Sequence, residues 1–126
     1  MNTKLAGAKL KIQARVMLDE EIAFGPGKAD LLDAIQTTGS ISSAGKQLGM
    51  SYRRAWMLVD SMNRCFQQPL VQTATGGNQG GGTQLTETGL DVLKRYRALQ
   101  NEINQLSKQY FPEFKPLLRK KPLPSA

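Results

Sequence analysis

The run from Gly39 to Met62 limits the fold more than any other part of this chain. Two short helical patterns meet there at Gly49, a residue type that tolerates the backbone a tight interhelical turn demands. Ser51 is a good cap for the second pattern. Ala44, Leu48, Met50, Ala55 and Leu58 are small or apolar and fall where two crossed helices touch. Tyr52, Arg53 and Arg54 fill the first turn of the second helix, where a helix-turn-helix presents its reading surface to the DNA major groove. The pattern predicts DNA binding.

Charge points the same way. Seventeen Lys and Arg residues against ten Asp and Glu give a net charge of +7 over 126 residues. That suits an anionic partner, although basicity alone is common among proteins that bind no nucleic acid. The distribution says more. Between Asp33 and Glu87 the only acid is Asp60, while Lys46, Arg53, Arg54 and Arg64 lie in that span. A segment poor in acids does not repel phosphates where a duplex would sit.

Composition also excludes. The length allows about one domain. There is no histidine, which removes the commonest general base and metal ligand. Cys65 is the single cysteine, so neither an intrachain disulfide nor a cysteine-rich zinc site can form. Beside Phe66 it reads as a buried small hydrophobe. The acids are scattered, and no nucleophile is paired with a base in a recognisable motif. No enzyme, cofactor or metal is expected. With no signal-like or membrane-length apolar run, the cytoplasm is the expected location, without a membrane partner.

Along the chain, Leu10, Ile12, Ala14, Val16 and Leu18 alternate with polar residues and predict a strand from Lys9 to Leu18 with one buried face. Asp19, Glu20 and Glu21 make a turn, and Ile22 to Phe24 return as a short partner strand. Gly25-Pro26-Gly27-Lys28 lacks the spacing and hydroxyl residue of a phosphate loop. It leads instead into a helix with Leu31, Leu32 and Ile35 on its apolar side, ended by Gly39. Ser40 or Ser42 can cap the next helix, to about Leu48, and the following one runs from Ser51 to about Arg64. Ala55, Leu58, Val59 and Met62 form the latter's core stripe. Trp56, on the opposite side with Tyr52, Arg53 and Met57, is open between groove contact and packing beneath a neighbouring loop.

Pro69 to Thr73 and Gln84-Leu85 read as two strands joined by a glycine-rich hairpin. Next to a helix-turn-helix, that is the place of a wing. Thr86-Glu87-Thr88-Gly89 opens a helix of some 23 residues, roughly 35 Å long, which Pro112 is expected to stop. On it Val92, Tyr96, Leu99, Ile103, Leu106 and Tyr110 recur in steps of four and three, a heptad seam. Leu90 and Leu93 lie off the seam and can pin the helix to its own domain. Self-association through the seam is preferred over an intrachain contact. Residues 112–126 form a tail with Pro116, Pro122, Pro124 and Arg119-Lys120-Lys121, expected to be mobile and to add phosphate affinity. The fold class is therefore mainly α with small β: a winged helix-turn-helix over residues 1–111, with an N-terminal hairpin and a long dimerisation helix.

These features resemble the winged-helix domain of LysR-type regulators, and more closely the DNA-binding domain of ModE-type molybdate-responsive regulators. Three runs carry the closer likeness: Gly39-Ser40-Ile41-Ser42, Ser51 to Trp56, and the Ala74-Thr75-Gly76-Gly77-Asn78-Gln79 wing with its further glycines. The resemblance spans about Leu10 to Tyr110. It implies a bacterial homodimer joined through the N-terminal strand region and the long helix, acting on a palindromic operator and tied to molybdenum-related genes. Nothing after Pro112 has the pattern of the family's oxyanion-binding module, so direct molybdate binding is not expected.

On this reading, Ser51 and the free N–H groups of its helix hold a phosphate, and Tyr52, Arg53 and Trp56 face bases, with Arg53 bidentate to guanine. Arg54 meets the backbone. Ser42, Ser43 and Lys46, with Thr75, Gly76, Gly77, Asn78 and Gln79 of the wing, complete the contact set with double-stranded DNA. The alternatives are a protein-interaction module that uses the heptad helix, and a regulator that takes an oxyanion effector between protomers.

Overall fold

The structure, a computed structural model, describes residues 7–74 and 82–126. Wing residues Thr75, Gly76, Gly77, Asn78 and Gln79 lie outside them. Two short hairpins flank three helices, and a fourth, long helix follows. Strands β1 (Val16–Leu18) and β2 (Glu21–Phe24) pair antiparallel across a tight turn in which Asp19 has φ 54°. The predicted strand from Lys9 is thus only three residues long, and its apolar side is only partly covered: Leu10 and Ala14 are half-buried, while Ile12, Val16 and Leu18 are exposed. Alternation marked a two-faced segment correctly, but the long fourth helix covers only part of it, at Leu10 and Ala14.

Helices α1 (Pro26–Thr38), α2 (Ile41–Gln47) and α3 (Tyr52–Cys65) form the helix-turn-helix core. Pro26 takes the first turn of α1, where its missing N–H costs nothing. Gly39, at φ 73°, closes that helix. Ser40, rather than Ser42, caps α2, its hydroxyl accepting from Ser43 N at 3.0 Å. The turn after α2 is a Schellman motif: Met50 N donates to Gly45 O at 2.9 Å and Gly49 N to Lys46 O at 3.1 Å. Gly49 has φ 72°, the left-handed conformation that the motif requires. Helices α2 and α3 then meet closely, since a Cβ on Gly45 would lie 3.1 Å from the Ala55 Cβ. Leu48 points to solvent instead of into that contact, and Met50 and Leu58 pack at its margin.

One core gathers Phe24, Leu31, Leu32, Ile35, Met62 and Leu70, all fully buried. Strands β3 (Val71–Ala74) and β4 (Gly82–Leu85) pair with Val71 opposite Leu85 and Thr73 opposite Thr83. Thr83 N also donates to Gly39 O at 2.9 Å, which ties the wing to the α1–α2 turn. Asn63 joins the wing to α3. Its Oδ1 accepts from Leu70 N at 2.8 Å and Val71 N at 3.2 Å, and its Nδ2 donates to Val71 O at 3.1 Å.

Helix α4 runs from Glu87 to Phe114 and is followed by a 3-10 turn at Lys115–Leu117. Pro112 does not stop it: the helix passes through, forgoing one N–H donor near its end. Thr86 caps the start, accepting from Gly89 N at 2.9 Å. Leu93 is buried in the domain as expected, whereas Leu90 is exposed. Among the described residues, no helix is long and apolar enough to cross a membrane.

Candidate nucleic-acid interface

Helix α3 is held by its rear and free at its front. Ala55, Val59 and Met62 are buried, and Ser51, Tyr52, Arg53, Arg54, Trp56 and Met57 are exposed. Ser51 caps the helix, its hydroxyl accepting from Arg54 N at 3.1 Å. The N–H groups of the first turn that remain form a positive helix end suited to an anion. Ser42, Ser43 and Lys46 are exposed on α2. Arg53, Arg54 and Lys46 enter none of the ion pairs among the described residues, so their charge is not neutralised there.

Four basic residues elsewhere are paired or buried: Arg64, Arg95, Arg97 and Lys28. Arg64, at the far end of α3, bonds Glu21 at 2.8 Å and Asp60 at 2.8 Å. Hydrogen bonds from Arg64 and Ser61 hold the Glu21 carboxyl below the usual carboxylate range. Arg97 of α4 pairs with Asp30 at 3.0 Å and with Asp33. Lys28 is only 7% exposed; its ammonium donates to Ser61 Oγ at 2.9 Å and to the Ile22 carbonyl. Burial pulls its pKa below the ordinary lysine value. It is a structural cation that links the first hairpin to α3, a role that no local motif announces. Arg64 and Arg97 are thus met by acids away from the front of α3, whereas Arg53 and Arg54 on that front enter no ion pair among the described residues.

Between that front and the wing runs a groove of about 290 Å³ lined by Ser40, Ser42, Tyr52, Trp56, Thr73 and Thr83, among others. Trp56 forms its wall and is 39% exposed. Tyr52 lies against it edge to face, with ring centroids 6.2 Å apart. Thr73 and Thr83 escaped the sequence reading because only strand register sets their hydroxyl-bearing side chains side by side.

The heptad seam needs one correction. Tyr96 is 4% exposed and is consumed within its own chain: its hydroxyl donates to Ala14 O at 2.7 Å and its ring packs on Phe24 at 5.1 Å. Val92 is half-buried against the same core. The spacing that marks a helical stripe cannot tell which part of it meets the chain's own domain. Farther along, Leu99, Leu106 and Tyr110 are exposed and Ile103 is half-buried. Leu99 also lines an apolar groove with Val16 and Phe66, and Met17 and Leu18, which follow Val16 in β1, are exposed.

The model of the bacterial regulatory helix-turn-helix proteins of the lysR family matches residues 28–90, from α1 to the first turn of α4. The chain belongs to this LysR family. Two relatives each named molybdenum transport protein ModE are similar to it. The one from Azotobacter vinelandii is 44% identical over 91 residues, covering 71% of this chain and 34% of the relative. The one from Herbaspirillum seropedicae is 47% identical over 99 residues, covering 79% and 34%. The DNA-binding transcriptional dual regulator ModE of Escherichia coli K12 is 38% identical over 90 residues, covering 71% and 32%. This LysR-family chain therefore spans about a third of the length of the curated relatives it matches. Among solved structures, the crystal structure of a CbnR_DBD–DNA complex shares the fold, with a TM-score of 0.52 at 16% identity over 66% of this chain and 90% of that one.

Proposed function

We propose that this LysR-family chain is a sequence-specific DNA-binding transcription regulator that acts as a homodimer on a palindromic operator. The observation that carries this reading is the front of α3: a capped helix end where Arg53 and Arg54, in no ion pair among the described residues, stand beside exposed aromatics, with Ala55, Val59 and Met62 buried behind. Each protomer sets the first turns of α3 into a major groove, with Ser51 and the helix N-terminus on phosphate and Arg53 on guanine. Arg54, Ser42, Ser43 and Lys46 position the helix on the backbone. The ModE names of its relatives support control of molybdenum-related genes.

The two substitutions Arg53→Ala and Lys46→Ala separate reading from positioning. Arg53→Ala is expected to weaken the operator about tenfold or more while leaving random duplexes nearly unchanged. Lys46→Ala weakens both alike and makes the log–log salt slope shallower by about 0.9. Fluorescence anisotropy over a salt series measures both effects. Equal loss in the two variants, or salt-insensitive binding, would contradict this docking.

The exposed part of the seam and β1 form the dimer face in this reading. Buried between two copies, that apolar surface leaves water without creating unpaired polar groups. Leu106→Asp places a charge there, far from α3, and is expected to give monomers in sedimentation experiments with an unchanged circular dichroism spectrum. A variant that stays dimeric would remove the seam from the interface.

A further inference from the structure

We propose that Trp56, braced by Tyr52, reads thymine in each half-site, an assignment that rests on the DNA-binding reading above and gives it a base preference. Tyr52 and Trp56 stand four residues apart on α3 and so share one row of the helix surface. They are 57% and 39% exposed, although Ala55, Val59 and Met62 already complete the core side. The apolar ring surface that this pair leaves exposed beside the groove is surface that a bound partner can cover. The rings hold each other edge to face at 78°, which fixes the indole before any partner arrives.

Indole chemistry selects the base. The ring joins one N–H, a donor only, to a broad apolar edge. In the major groove thymine presents an acceptor, O4, next to its 5-methyl group, so donor meets acceptor while ring meets methyl. Cytosine offers an amino donor and no methyl, which leaves the indole N–H opposed. Adenine offers an amino group, and guanine offers acceptors without a methyl. Arg53, on the adjacent row of the helix, has the chemistry for guanine, so the two side chains divide the half-site between them.

The test uses the full chain and duplexes enriched from a random pool by repeated binding. Thymines in the enriched site are then replaced one at a time, by uracil, which lacks only the methyl, or, with guanine placed opposite to keep the pair, by 5-methylcytosine, which keeps the methyl but turns the acceptor into a donor. At one thymine per half-site, uracil is expected to weaken binding about fourfold, the worth of one buried methyl, and 5-methylcytosine about tenfold. Trp56→Ala should abolish both penalties at that thymine. Trp56→Phe should keep the uracil penalty and lose most of the other. Tolerance of uracil at every thymine, or a penalty that survives Trp56→Ala, overturns the assignment and leaves Trp56 as packing beneath the wing while DNA reading stands. Failure to enrich any sequence overturns the DNA-binding reading itself.

Discussion

Gly89→Ala is expected to destabilise the domain by about 3 kcal/mol, near the upper end for overpacking a core. A Cβ at this position would lie 2.1 Å from the Leu70 carbonyl oxygen and 3.0 Å from its carbon. Neither atom belongs to a side chain that could swing aside. The oxygen is further fixed because Thr86 N donates to it at 2.9 Å, and Thr86 Oγ1 reaches Pro69 O at 2.6 Å. Relief requires moving the start of α4 away from the strand that carries the wing. Gly27→Ala is the matching control: it lies in α1 with nothing within 4 Å of the added methyl. There the better helix propensity of alanine should leave stability equal or slightly raised. Urea denaturation compares the two, and equal midpoints would show that the Leu70–Gly89 approach is not tight in solution.

Asn63→Ala is expected to cost about 3 kcal/mol for a different reason. One side-chain amide satisfies two N–H groups and one carbonyl in the stretch Leu70–Val71, whose side chains are buried. Truncation leaves those backbone groups without their partner, and each such loss costs about 1–3 kcal/mol, with water offsetting part of it. Asn63→Asp keeps the acceptor for Leu70 N and Val71 N but sets a second oxygen against Val71 O. Its stability should fall between alanine and wild type. If α3 contacts DNA as proposed, affinity should drop in parallel, because this amide is a polar link between α3 and the wing strand. An alanine variant within about 0.5 kcal/mol of wild type would mean that water replaces the amide at no cost.

Wherever local chemistry decides structure, the fold was legible. Ser51 and Thr86 cap their helices, Gly39 and Gly49 take positive φ, and the short hairpin turns at Asp19. Each depends on a few neighbouring residues and a backbone preference that no distant contact overrides. The front of α3 was legible for a related reason. Once Ala55, Val59 and Met62 claim the core, helical geometry leaves Tyr52, Arg53 and Trp56 outside. Pro112 was misread because a proline weakens a helix only at its own turn, and the surrounding residues carry α4 on to Phe114. The strand expected from Lys9 to Leu18 shrank to Val16–Leu18 because alternation reports two faces without saying whether anything lies against either.

The sequence by itself determined the helix-turn-helix, its caps and turns, and which side of the Ser51-capped helix faces outward. These follow from hydrogen bonds and side-chain periodicities that close within a few residues. Tertiary structure alone decided that Tyr96 leaves the seam for Ala14 and Phe24, that Lys28 is buried against Ser61, and that Thr73 and Thr83 line the groove beside Trp56. Each of those contacts joins residues far apart along the chain. Their partners are chosen by how whole elements pack, and local spacing carries no record of that choice.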